Sequence, residues 1–213
     1  MTRRLVVEGD SNPAGYNMGA GNDLATQLAA KSFFAGCTFA NVAVSGSTLT
    51  NVDPSAGITE RYAANVYPLR PIAGEEVYLV FVIGTNDANN ATGGWVASWE
   101  AAFASYVATA KADGFKVCIC TITPYNLNAT TIANIAAWNT YIRAFSGADF
   151  IFDHYAVIPD ENDETLYQSA GVHWTALATS MLAAWDNSVL VDAAANKRVE
   201  FDGGVEMSGG VEA

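Results

Sequence analysis

Four residues of this chain have side chains or backbone groups suited to one reaction, and each follows a strand-like apolar run. Ser11 closes the stretch Leu5–Gly15 (LVVEGDSNPAG), where Leu5, Val6 and Val7 give way to Gly9-Asp10-Ser11, Pro13 and Gly15. That pattern reads as a buried strand stopping at a turn, with a hydroxyl presented where the strand ends. Gly46 ends TFANVAV and Ser45-Gly46-Ser47, Asn86 follows EVYLVFVI in Gly84-Thr85-Asn86-Asp87, and His173 follows Asp149–Phe152 after a polar loop. Acyl transfer requires a nucleophile, a general base, and hydrogen-bond donors for the oxyanion that develops on the attacked carbonyl. Ser11 and His173 can supply the first two. The backbone N–H groups of Ser11 and Gly46 and the Asn86 amide can supply the third, if the fold brings them together.

The fold that could do so is legible in the alternation of patterns. Strand signals at Leu5–Val7, Thr38–Val44, Glu76–Ile83, Lys116–Ile122 and Asp149–Phe152 alternate with helical ones. The helices are expected at Asn22–Phe34, around Ile58–Tyr67, at Trp95–Ala112, at Ala129–Phe145 and from Thr175 onward, the last with Leu177, Met181, Leu182 and Trp185 inward. Parallel neighbours need crossover connections, so this alternation implies βα units and a doubly wound parallel sheet. In such sheets ligands bind outside the carboxyl ends of the strands, the edge on which all four residues fall.

Composition narrows the remaining classes. The 213 residues suffice for one domain with a sizeable core, expected over 1–190, and 51% of them are hydrophobic against 15% charged. Residues 191–213 read as a tail, an extra ribbon or a flexible appendix, because Gly-Gly-Val-Glu occurs at Gly203–Glu206 and again at Gly209–Glu212. A formal charge of -12 argues against nucleic acid or an anionic membrane as partner. No signal peptide or apolar run of membrane-spanning length is visible. Cys37, Cys118 and Cys120 make no zinc pattern, and free thiols favour a reducing compartment, cytoplasmic or virion-associated. No metal or cofactor motif is seen, so none is expected.

The four segments, in this order, resemble the SGNH, or GDSL-type, hydrolases: Gly9-Asp10-Ser11, Asn41–Gly46 (NVAVSG), Gly84–Asp87 (GTND) and Gly171-Val172-His173 before a terminal helix. The resemblance runs from about Leu5 to Trp185. It implies a flavodoxin-like three-layer αβα fold, Ser11 as nucleophile, His173 as base, and Ser11, Gly46 and Asn86 as the oxyanion hole. It also implies an ester substrate, a small acyl group such as acetyl on a carbohydrate. A lipid-chain esterase or thioesterase, and a glycan-binding module without turnover, are the alternatives; a nucleotide-binding protein is a distant third.

One position departs from the family's usual Asp-x-x-His, since Ala170 stands where that Asp would orient the base. Losing such a carboxylate from a triad costs on the order of 10⁴ in kcat. A Ser-His dyad, or a substitute acid from Asp160, Asp163 or Glu164, would answer for it; a chain without activity is the third possibility. Trp174, directly after the base, is expected to wall the acyl pocket, and the other tryptophans to anchor the core. His154 is expected as a satisfied, partly buried histidine, although Asp153-His154 is a second arrangement to test. Asp10 and Asp87 are expected to bond nearby backbone rather than to act as acids.

Overall fold

A computed structural model describes residues 2–50, 57–90, 97–125, 128–160, 162–168 and 171–199, and of residues 97 and 196–199 the backbone only. Five strands form one parallel sheet: β1 (Thr2–Gly9), β2 (Thr38–Asn41), β3 (Glu75–Val82), β4 (Lys116–Cys120) and β5 (Phe150–Phe152). Their spatial order is β2-β1-β3-β4-β5. This is the flavodoxin-like doubly wound order, whose switch point lies between β1 and β3. The central strands are buried over most of their length because helices cover both faces, which is why they read as continuous apolar runs.

Alternation along the strands sorts the core into two layers. Tyr78 on β3 meets Phe33 and Phe34 edge-on, on the face covered by α1 (Leu24–Ala29) and α7 (Ala176–Val199). Phe81, of opposite parity, stacks on Tyr106 and Phe103 of α4 (Ala97–Ala112). Phe103 in turn meets Trp138 of α5 (Ala129–Ala144), and Tyr106 meets Tyr62 of α2 (Ile58–Asn65). Cys118 and Cys120 lie on the α7 side, buried and free, as their spacing of two implies; Cys37 is half-buried and free.

Several elements differ from the sequence pattern. The helix expected over 22–34 splits into α1 and a 3₁₀ turn at Ser32–Phe34, because Lys31 is extended. Asp23 caps α1 by accepting from Thr26 N. Thr85–Asn90 forms a short helix, α3, and His154–Val157 another, α6, in stretches read as loop. The last helix runs through the expected boundary near 190 to Val199. The Gly-Val-Glu repeats at 203–206 and 209–212, and Trp95, lie outside the described residues.

The orientation of α7 corrects an expectation. Leu182 is buried as expected, but Leu177, Met181 and Trp185 are 53%, 37% and 43% exposed. The buried stripe is Ala178, Thr179, Leu182, Ala183, Asp186 and Leu190. A charged residue lies in the middle of it, and Asp186 accepts from His154 Nε2 with both oxygens, at 2.9 and 3.0 Å. That buried pair turns the helix away from the face that hydrophobicity alone selects. Ile132 of α5 is likewise 47% exposed rather than inward.

Breaking a buried pair strands the remaining group without solvent, at a cost of about 3–5 kcal/mol. Asp186→Ala should therefore lower the unfolding free energy by about that amount in urea titration. A loss below about 1 kcal/mol, the worth of an exposed pair, would show that α7 is oriented by its apolar residues alone.

Candidate active site

β1 and β3 approach so closely at their carboxyl ends that a side chain on Gly9 has no room. A β-carbon there would stand 2.0 Å from the Val82 carbonyl oxygen, and the residue has φ +153°. Asp10 N donates to that same carbonyl at 3.3 Å, so the chain leaves β1 pinned to β3 and turns directly into Ser11. The turn is held from inside: Asp10 Oδ1 accepts from Asn12 N at 3.0 Å, and Ala14 N donates to Asp10 O. Ser11 is thereby fixed at the switch point, 5% exposed.

His173 arrives from the other end of the chain. Its Nε2 lies 3.0 Å from Ser11 Oγ, across 162 residues of sequence. This is hydrogen-bond reach for a base that takes a hydroxyl proton. The imidazole is half-buried, and that burial lowers its pKa from the ordinary histidine value, because taking charge out of water disfavours the imidazolium. The Tyr16 ring packs on it with centroids 4.4 Å apart.

The donors expected for an oxyanion follow β2 and β3. Gly46 is exposed, with φ +82°, a conformation that favours glycine. Asn86 lies in the first turn of α3, and its Nδ2 donates to the Ser47 carbonyl at 2.9 Å. The carboxamide has a second hydrogen to offer. Ser47 joins the two segments, since its hydroxyl accepts from Arg61 Nη2 at 3.0 Å and its N–H donates to Val44 O. Arg61 is itself held by Glu8 on β1 at 2.8 Å. Glu8 and Arg61 carried no motif in the sequence; a charged residue inside a strand run was the only sign.

Other expected residues fall elsewhere. Ala170 lies outside the described residues. Asp160 Oδ1 accepts from Asn162 N, and Asp163 Oδ1 accepts from Thr165 N and Oγ1, which lowers the Asp163 pKa; both carboxylates cap their own turns. Glu164 is exposed, and among the described residues no carboxylate bonds to His173. The expected substitute acid is thus not in place. Trp174 does not wall an open pocket: it is 1% exposed, its indole Nε1 donates to Thr123 Oγ1 at 2.9 Å, and its ring meets His154 edge-on. It is a core residue next to His173 in the chain. His154 is fully buried against Asp186, and Asp153 belongs to Arg143 and Thr121, so Asp153-His154 is no second base pair. Among the described residues no group of histidines, cysteines and carboxylates is placed to hold a metal.

Three buried carboxyl groups surround the nucleophile turn. Burial raises Glu8 to about 7 despite Arg61, and Asp10 to about 6 despite the Asn12 N–H. Burial also raises Asp87 to about 7, against the Leu49 N–H at 3.0 Å from both its oxygens, with Asp10 adding repulsion. Each folded-state pKa exceeds the unfolded value near 4, so between about pH 4 and 7 the folded chain keeps protons that the unfolded chain has lost. Their contribution to stability is present below that window and is lost as pH rises through it. The Asp87→Asn variant, which keeps an acceptor but cannot ionise, should gain stability relative to the parent between pH 4 and pH 8 in urea titrations. A constant difference across that range would mean that Asp87 is ionised throughout.

The sequence profile of the GDSL-like lipase/acylhydrolase family matches residues 7–179. A comparison with curated proteins finds no match. Among solved structures, a carbohydrate acetylesterase from Sinorhizobium meliloti superposes with TM-score 0.71 at 14% identity, over 90% of this chain and 100% of that one. A lipase/acylhydrolase from Enterococcus faecalis gives 0.69 at 18%, over 90% and 97%. An acetylxylan esterase from Geobacillus stearothermophilus gives 0.68 at 18%, over 88% and 93%. With the family profile spanning most of the chain and the five-stranded parallel sheet of these neighbours, the chain belongs to the GDSL-like, or SGNH, hydrolases.

Proposed function

We propose that this chain is a serine esterase that removes small acyl groups, acetyl foremost, from carbohydrate esters. The single observation behind the reaction is the 3.0 Å approach of Ser11 Oγ to His173 Nε2 at the carboxyl edge of the sheet. The substrate class is borrowed from the acetylesterases of like fold, one a carbohydrate acetylesterase and the other an acetylxylan esterase.

In this reading Ser11 Oγ attacks the ester carbonyl as His173 Nε2 takes its proton. The carbonyl oxygen, now negative, is received by the N–H groups of Ser11 and Gly46 and the free hydrogen of Asn86 Nδ2. Collapse of the intermediate breaks the bond to the alcohol, which leaves with the proton from His173. Water then adds to the acyl-enzyme by the same steps, releasing the acid and restoring both side chains. Donors fixed before the reaction cost no reorganisation when the charge appears, and each is worth about 10²–10³ in kcat.

A hydrolysis assay with p-nitrophenyl esters tests the reading. Ser11→Ala should abolish turnover, and rates should fall sharply beyond acetyl or propionyl; rates rising with chain length would assign a lipid-chain esterase instead. Because burial lowers the His173 pKa and a carboxylate partner would raise it, kcat/KM should climb to a plateau through one inflection below about pH 6.5. Ala170→Asp, restoring the family's usual acid, should raise kcat and move that inflection upward, the gain bounded by about 10⁴. Equal rates for the parent and Ser11→Ala would favour the glycan-binding module, for which Ala170 is the motive.

A further inference from the structure

His173 holds its position opposite Ser11 although no carboxylate among the described residues grips its ring. An imidazole on an irregular segment must be held by something, since a displacement of about 1 Å costs about 10² in rate. What grips the segment is the residue next to the nucleophile. Asn12 is 2% exposed, and its side-chain amide spends both ends on the backbone flanking the base. Oδ1 accepts from Trp174 N at 2.9 Å, and Nδ2 donates to Val172 O at 3.3 Å. The peptide units immediately before and after His173 are thus fastened to one side chain. That side chain starts from the turn that carries Ser11, and its own N–H is fixed by Asp10.

A second brace acts from the other side of the segment. Gln168 N donates to His173 O at 2.8 Å, and Gln168 Nε2 donates to Trp174 O and to Tyr16 O, both at 2.7 Å. Tyr16 is the residue whose ring packs on the imidazole.

We propose that Asn12 is the positioning residue of the base: its amide clamps Val172 and Trp174, and so sets the His173 ring in register with Ser11. The inference rests on the esterase reading for its kinetic consequence, and on the geometry alone for its structural one. A bond pair to backbone fixes where the imidazole is, while leaving it without the counter-charge that a third carboxylate supplies. Asn12 therefore acts through His173, and its effect vanishes when His173 is absent.

The test is a double-mutant cycle read by p-nitrophenyl acetate hydrolysis, together with imidazole NMR. Asn12→Ala should lower kcat about 10²-fold per folded molecule with KM little changed, as a misplaced base does. In a His173→Ala background the same substitution should change the residual rate by less than about threefold. Equal losses in both backgrounds, or an unchanged kcat in the parent background, would overturn the proposal. Should Asn12→Ala not fold, Asn12→Asp keeps the acceptor for Trp174 N but presents no donor to Val172 O. It should lower kcat in the parent background and leave it unchanged without His173.

The chain has two histidines, so their ring signals are separable. In the Asn12 variant the His173 nitrogens should shift and broaden toward free imidazole while those of His154 stay fixed. Unchanged His173 signals would sink the proposal even in a protein without turnover. An active Ser11→Ala would sink the esterase reading and leave this structural result standing.

Discussion

The close approach of β1 and β3 at their carboxyl ends governs the rest of the molecule. Where a β-carbon of Gly9 would stand, the Val82 carbonyl already is. That contact ends β1 at one definite residue, and the hydrogen bond from Asp10 N to the same carbonyl sets the direction in which the chain departs. Ser11 follows one of these two strands and the Gly84–Asn86 segment the other, so both segments leave the sheet at the same edge. The helices, for their part, have to cover two apolar faces without closing that edge. The sheet order satisfies both demands.

Around this point the protein buries an unusual share of its acidity. Glu8, Asp10 and Asp87 lie within the turn and its supports, in a chain whose formal charge is already -12. Each carboxyl group places at least one oxygen on a backbone N–H or on Arg61, fixing the loops at this edge. Burying these groups costs stability that a hydrocarbon core would not cost, and the return is a set of loops with one geometry. Functional edges of α/β sheets commonly make that exchange.

How far the site could be read beforehand follows from what kinds of force position it. The meeting of Ser11 and His173 was legible because each follows a run of apolar residues, and strand ends in a parallel sheet share an edge by topology. The supports were not legible, since Asn12 and Gln168 act on backbone carbonyls and N–H groups, and Arg61 on a buried carboxylate and a hydroxyl, none of which leaves a periodic mark. Trp174 and α7 were misjudged for a related reason. Their placement depends on polar partners inside the core, Thr123 for the indole and His154 for Asp186, and hydrophobic patterning assigns such partners to the surface. The acids of the 160–164 loop looked available because proximity in sequence says nothing of which turn a carboxylate caps.

The distance in sequence between Ser11 and His173 has a consequence for how the protein comes into being. Ser11 follows β1 directly and His173 lies just ahead of α7, 162 residues later. In a growing chain Ser11 is therefore made well before the segment that carries His173. α7, which follows the His173 segment, packs beside α1, which follows the Ser11 turn. Pairings of such long range are the slow ones in folding, because a large loop must close before any contact repays it. The contact between Ser11 and His173 belongs to this slow class and exists only once these distant parts of the chain have met.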